Sequence, residues 1–275
     1  MCLLVLAWNA HPRYRLIVAA NRDEYHDRPA EPLTCWPPPE DMLAGRDLRA
    51  GGTWLGVDRR RRFGVITNYR DLQGTPATAP SRGGLIPRYL RETGGPGEYL
   101  AALEREAAAY GGFNLLLSDG ESLWYGSNRI TPFARPLAPG VHGLSNEHLD
   151  APWPKLLRVR ARFEAWLRES THGQATSPEA LFALLDDRRP TLPPGPAPGR
   201  ADTAGPSSRE LMSASDWERA LSAPFVQHPQ YGTRCSTVVL MEASGSLRVA
   251  ERRFDREGRR AGETEYRLCG DEWTA

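Results

Sequence analysis

The sequence predicts an α+β fold, with strands and helices packed as separate layers of one domain spanning residues 1–275. Two observations carry that expectation. Short runs rich in Val, Ile, Leu and Trp stand at both ends of the chain, and the segments with three- and four-residue apolar spacing lie between them. Segregated runs of strand and helix form layers, whereas a parallel sheet would require the two to alternate. A third observation sets the scale: 275 residues can bury a substantial core, and no internal repeat divides them.

The elements follow in order. Residues 3–8 and 14–20 read as two buried strands, and Asn9-Ala10-His11-Pro12-Arg13 between them has the chemistry of a hairpin turn. A polar cluster, Asn21-Arg22-Asp23-Glu24, ends the second strand, and the Pro-rich residues 28–40 read as a loop. Two further strands, 51–58 and 62–70, flank the Arg-rich turn at Asp58-Arg59-Arg60-Arg61. Residues 82–93 and 97–109 predict helices, the second by its Ala, Leu and Glu content. "FNLLLSDG", "SLWYGSN" and the stretch up to "VHGLSN" return to short strands. In residues 151–170, Leu156, Val159, Phe163 and Trp166 form one apolar helical face. "SPEALFALLDD" starts a helix with a Ser cap and Pro in the first turn. A Pro- and Gly-rich loop is expected at about 188–210, and three strands close the chain: "RCSTVVLMEA", "LRVAERRFD" and "ETEYRLCG".

Composition excludes several classes of function. A net charge of +1 gives no bulk attraction to nucleic acid or to a membrane surface. No window approaches eighteen uninterrupted apolar residues, so no membrane span is expected. The first apolar run has neither a basic flank nor a small-residue cleavage site, which points to the cytoplasm. Cys2, Cys35, Cys235 and Cys269 are far apart, and the six His residues lack ligand spacing, so no metal site is expected. Lys155 is the single lysine; the Arg excess reads as the codon bias of a GC-rich genome. The residues leave the oligomeric state open.

The candidate chemistry begins at Cys2. Removal of Met1 would give Cys2 a free α-amine beside its thiol, and an α-amine of pKa near 8 can serve as base for its own side chain. If the first two strands pair as a hairpin, residues 21–24 return to the neighbourhood of Cys2. Strand alternation then sets Asn21 and Asp23 on one face and Arg22 and Glu24 on the other. A carboxylate there can orient the amine, and a guanidinium favours thiolate over thiol.

The blocks "AANRDE", "GGTWLG", "TNYR", "GFNLLL", "GLSN…PWPK" and "YGTRCSTVVL", in this order, give a chain that resembles the NRDE family, the family of the transport and Golgi organisation proteins. The resemblance implies a four-layer αββα sandwich of the N-terminal-nucleophile hydrolase type. Its nearest analogues in chemistry are the cysteine acylases that cleave penicillin V and bile-salt amides. By that likeness Cys2 matches the nucleophile and Asp23 the residue that holds its amine. Asn68 and Asn146 fall where those enzymes place amide side chains, as oxyanion donors, and Arg234 falls near a late active-site Arg. The early Arg of those acylases, three positions before the Asp, meets Ala20 here, and Arg22 stands next to Asp23 instead. The function so implied is hydrolysis of an amide or thioester, acyl-CoA among the candidates, with no cofactor required.

For the NRDE family itself the resemblance also implies haem handling and lipid or acyl-CoA metabolism. The alternative function is therefore a non-catalytic carrier of haem or acyl-CoA, with Asn21 and Glu24 among the ligand-binding residues. His26 and His148 are the candidate axial ligands for haem. Trp54, Trp153 and Phe113 read as core, Cys35, Cys235 and Cys269 as structural thiols, and the pairs Gly51-Gly52 and Gly83-Gly84 as turns.

Overall fold

The computed structural model describes residues 2–70, 78–170, 177–191, 214–269 and 272–274. The hairpin comes first, as β1 (Cys2–Trp8) and β2 (Tyr14–Tyr25), with Leu6 opposite Val18 and Cys2 opposite Arg22. The second strand does not stop at Ala20. It runs on through the polar cluster because Asn21 and Arg22 are paired on both sides, by β1 and by a strand from the far end of the chain, and that far strand continues to pair with Asp23, Glu24 and Tyr25.

After the hairpin come β3 (Ala30–Cys35), β4 (Met42–Asp47), β5 (Leu55–Asp58) and β6 (Phe63–Asn68). Residues 28–40 are thus partly strand. Pro32 lies on the outermost strand of its sheet, where a missing N–H costs no ladder bond. The expected strand at 51–58 shrinks to its last four residues, since Gly51 turns the chain with φ +73°. The expected helix at 82–93 is a single 3-10 turn, Arg82–Gly84, followed by α1 (Leu85–Arg91). The expected helix at 97–109 is α2 (Pro96–Glu104) with a 3-10 turn after it.

Four short strands follow: β7 (Phe113–Ser118), β8 (Leu123–Ser127), β9 (Ala134–Pro136) and β10 (Gly140–Leu144). Then come α3 (Pro154–Ser170) and α4 (Pro178–Leu185), whose first turn is capped by the Ser177 hydroxyl accepting from the Glu179 N–H. A further helix that composition did not signal, α5 (Ala214–Leu221), precedes β11 (Tyr231–Glu242), β12 (Leu247–Phe254), β13 (Arg260–Cys269) and β14 (Glu272–Thr274). Most of the expected loop at 188–210 lies outside the described residues.

The strands form two antiparallel sheets of seven, ordered β10-β1-β2-β11-β12-β13-β14 and β3-β4-β5-β6-β7-β8-β9. One apolar cluster draws on both sheets, with Leu4, Leu6 and Val18 from the first and Leu43, Val65 and Leu116 from the second. The opposite face of the first sheet offers Leu3, Val5, Ile17 and Ala19 to Leu156, Val159 and Phe163 of α3 and to Leu181 and Phe182 of α4. The opposite face of the second sheet packs Ala44 and Leu115 against Ile86 and Tyr89 of α1 and Leu100 of α2. Burying such side chains contributes about 1.5–3 kcal/mol each. Alternation along β1 and β2 therefore has a definite reading. From Leu16 onward in β2, and throughout β1, even-numbered residues face the other sheet and odd-numbered ones face the helices.

Candidate functional site

Cys2 and Arg22 are cross-strand partners, and both extend the even-numbered row that faces the second sheet. Beyond Leu4 and Ala20 the inter-sheet core ends, and a cavity of about 280 Å³ opens there. Cys2, Arg22, Asp23 and Glu24 form one wall; Asp47, Trp54 and Asn68 form the facing one. Arg82 and Gly83, at the entry to α1, complete the lining together with Arg28. A volume of this size suits a small ligand or the reactive end of a larger one.

The guanidinium of Arg22, 6% exposed, stacks over the Trp54 ring at 4.3 Å. It faces Asp47 at 3.7 Å and Glu24 at 3.9 Å. Arg28 Nε donates to Asp47 Oδ2 at 2.7 Å and lies 3.8 Å from Glu24. The Asp47 carboxyl is thereby held below the usual carboxylate range: burial pushes it up, and the Arg28 hydrogen bond and the Ala50 and Arg49 N–H groups outweigh that. Trp54 is thus only partly a core residue, because one face of its ring carries a buried cation.

Asp23 is 1% exposed and sits on the helix-facing row, where Thr233 Oγ1 donates to its Oδ1 at 2.7 Å. Tyr231 donates its hydroxyl to the Asp23 carbonyl at 2.7 Å. Burial raises the Asp23 carboxyl pKa, opposed by Lys155, the Thr233 hydrogen bond and Arg22. Burial likewise raises the Cys2 thiol pKa; Asp23 adds to the shift, and Arg22 and the Asp23 backbone N–H oppose it. Ser145 Oγ donates to the Cys2 carbonyl at 3.0 Å and fixes the start of β1 against β10.

The remaining residues singled out in the sequence divide. Asn68 ends β6 exposed and lines the cavity. Asn146 is buried beside it, but its Nδ2 donates to the Asn68 carbonyl at 3.1 Å, and it lines a separate cavity of about 40 Å³. Arg234 does not reach the Cys2 cavity lining. The register between β2 and β11 slips at this residue, and its Nη1 donates to the His26 carbonyl at 2.9 Å. Asn21 turns to the helices, donating through Nδ2 to the Leu185 and Pro224 carbonyls at 3.0 Å each and accepting from Ser236 Oγ at 2.6 Å. His26 Nε2 lies 3.0 Å from the His228 carbonyl, and His148, with its side chain 48% exposed, faces Glu147. Neither His lines the cavity.

Several site residues carried no sequence signal. Asp47 and Arg28 look like ordinary loop charges, and Arg82 precedes a pair of glycines. Those glycines are nonetheless a clue, since Gly52 and Gly83 meet: a Cβ on Gly52 would fall 2.3 Å from the Gly83 backbone, and the Thr53 N–H donates to the Gly83 carbonyl at 3.0 Å. This contact brings the segment before α1 against the segment before β5 and closes one side of the cavity. Lys155, the single lysine, is buried at the start of α3 with Nζ donating to the Leu221 carbonyl at 2.9 Å. Burial lowers its pKa, and the negative charge of Asp23 is the largest opposing influence. Among the described residues, no group of three or more His, Cys, Asp or Glu is arranged to hold a metal ion, and no helix is long and apolar enough to cross a membrane.

Comparison with known proteins gives a consistent picture. The family model described as "Transport and Golgi organisation 2" matches residues 1–256. The chain is 33% identical over 265 residues to the human "Transport and Golgi organization protein 2 homolog", with 92% of each chain covered. It is 32% identical over 265 residues to the mouse homologue, again with 92% of each chain covered. To the Drosophila melanogaster "Transport and Golgi organization protein 2" it is 25% identical over 279 residues, covering 91% of each.

Proposed function

The chain belongs to the Transport and Golgi organisation 2 family, and from that premise we propose a hydrolase of amides or thioesters, acyl-CoA included, acting through Cys2. The proposal places it in the cytoplasm, as a single domain of the N-terminal-nucleophile hydrolase type. The helix–sheet–sheet–helix stacking of the three apolar clusters supports that fold assignment. The observation that carries the chemistry is the Cys2 thiol opening onto a lined cavity directly across from a buried arginine.

In this reading Met1 is removed and the freed α-amine takes the thiol proton. The thiolate, favoured by Arg22, attacks the substrate carbonyl and forms a carbon–sulfur bond. Asp23 orients the amine, and the Asn68 side chain donates to the oxyanion. Collapse of the tetrahedral adduct breaks the bond to the amine or thiol leaving group, which departs with the proton. Water then hydrolyses the acyl-enzyme and restores the thiol. Asn146 acts as a positioning residue here, because its amide is spent on the Asn68 backbone.

Intact mass and a short-chain acyl thioester test this. The expected result is a chain lacking Met1 that shows a burst of one acyl group at Cys2, with turnover in Cys2→Ser reduced about a thousandfold or more. A retained Met1, or full turnover in Cys2→Ser, sinks the hydrolase.

The alternative, a non-catalytic carrier of haem or acyl-CoA, would use the same cavity, and its arginines favour an anionic ligand. For haem the fit is poor. The cavity lining has charged walls and, among the described residues, contains neither His nor Tyr, leaving Cys2 as the one axial candidate among them. A Soret band that saturates near one equivalent and shifts or is lost on alkylation of Cys2, in a protein that turns over no thioester, would favour the carrier.

A further inference from the structure

Among the described residues, the Cys2 cavity is lined by three arginines and three carboxylates, but the carboxylates are not shared evenly among the cations. Arg22 and Arg28 face Glu24 and Asp47 in a compact group of two positive and two negative side chains. The third carboxylate, Asp23, turns to the other face of β2, where Thr233 donates to its Oδ1 and the charge of Lys155 acts on it. Arg82, in the same lining, has no carboxylate within ion-pair distance among the described residues. Its Nη1 donates to the Gly112 carbonyl at 2.8 Å, which anchors the guanidinium, and its other donors meet no acceptor among the described residues. Half-burial of this cation, with Arg28 close by, pushes its pKa down, and Glu24, outside ion-pair distance, only partly opposes the shift. An arrangement of this kind is costly unless something negative arrives.

We propose that Arg82 reads an anion, a carboxylate or phosphate carried by the substrate, so that the Cys2 cavity takes an anionic amide or thioester. The inference rests on the reading that Cys2 is the reactive group. A planar guanidinium fixed at one nitrogen presents the remaining edge to two oxygens at once, which a lysine cannot do. The Gly52–Gly83 contact holds the segment bearing Arg82 against the segment before β5, so the cation is positioned before any ligand enters.

The test needs no knowledge of the natural substrate. Iodoacetamide and iodoacetate are nearly the same size, one neutral and one anionic. Their rates at Cys2 are followed by peptide mass, and each is divided by its rate with free N-acetylcysteine. The expected iodoacetate-to-iodoacetamide ratio is about tenfold above unity in the wild type. It falls to near unity in Arg82→Gln and recovers only in part in Arg82→Lys, which restores the charge but not the two-point contact. Acetate and inorganic phosphate are then added as competitors. Whichever slows the iodoacetate reaction in the wild type, but not in Arg82→Gln, identifies the group that is read. A reactive Cys2 whose ratio Arg82→Gln leaves untouched overturns the anion subsite and spares the hydrolase reading. A Cys2 inert to both reagents overturns the hydrolase reading. The subsite is then decided by thermal unfolding with the same two anions: stabilisation of the wild type but not of Arg82→Gln upholds it, and no difference refutes it.

Discussion

The two halves of β2 share a strand, a pair of neighbours and a degree of burial, but they are held in different ways. Leu16 to Ala20 are apolar, and their even and odd members fill the inter-sheet core and the helix-facing core in turn. Asn21 to Asp23 are polar and just as buried. What keeps them in place is a partner for each: Ser236, Leu185 and Pro224 for Asn21, Trp54 and two carboxylates for Arg22, Thr233 for Asp23. The apolar half is stabilised by the area it removes from water, whereas the polar half only breaks even through its hydrogen bonds. A sheet can therefore carry charge into its interior at one end, and the cavity opens at that end.

Substitutions along the strand should separate the two modes. The largest effect is expected in the apolar half. Ile17→Ala removes buried methyl groups beneath α3 and α4 and should cost about 2–5 kcal/mol in chemical denaturation. Alkylation of Cys2 under native conditions should stay within about twofold of the wild type, because Ile17 faces away from the cavity. A smaller effect is expected one step beyond the apolar run. Asn21→Val strands the Leu185 and Pro224 carbonyls and the Ser236 hydroxyl, at about 1–3 kcal/mol. If Asn21→Val proved neutral, the polar half would owe its position to the ladder alone and the contrast would fail.

The same contrast explains what could be read in advance. The hairpin was legible because apolar residues alternate with a clear period, and proximity of the polar cluster to Cys2 follows from antiparallel pairing. The continuation of β2 was not legible. Four consecutive polar residues read as a strand end unless their partners are known, and Thr233 and Ser236 lie more than two hundred residues away in the chain. Asp47 and Arg28 escaped notice for the same reason, since an ion pair across separate segments leaves no local pattern. Arg234 shows the converse: its place in "YGTR" suggested the site, but a register slip at that residue directs its guanidinium to the His26 carbonyl. β3 was hidden by a proline, Pro32, that an edge strand tolerates.

The weakest expected effect concerns charge at the sheet's edge, where solvent competes with the partner. On β10, His142 Nδ1 lies 3.0 Å from Asp150 Oδ2. The hydrogen bond to Asp150 raises the His142 pKa above its ordinary 6.5. Burial pushes the Asp150 carboxyl up, but the His142 hydrogen bond and the Gly143 N–H bring it below 3.8. A raised histidine contributes stability that is fully present below pH 6.5 and is lost as pH rises through its folded value. A depressed carboxylate contributes stability present above pH 3.8 and lost as pH falls through its own folded value. The pair therefore stabilises most between those limits, by less than about 1 kcal/mol because both groups are partly exposed. Denaturation of His142→Gln should trail the wild type at pH 5 and converge with it in the alkaline range. A constant gap across that range would mean that the histidine acts through packing, and that charge matters in this sheet only where it is buried as deeply as Arg22.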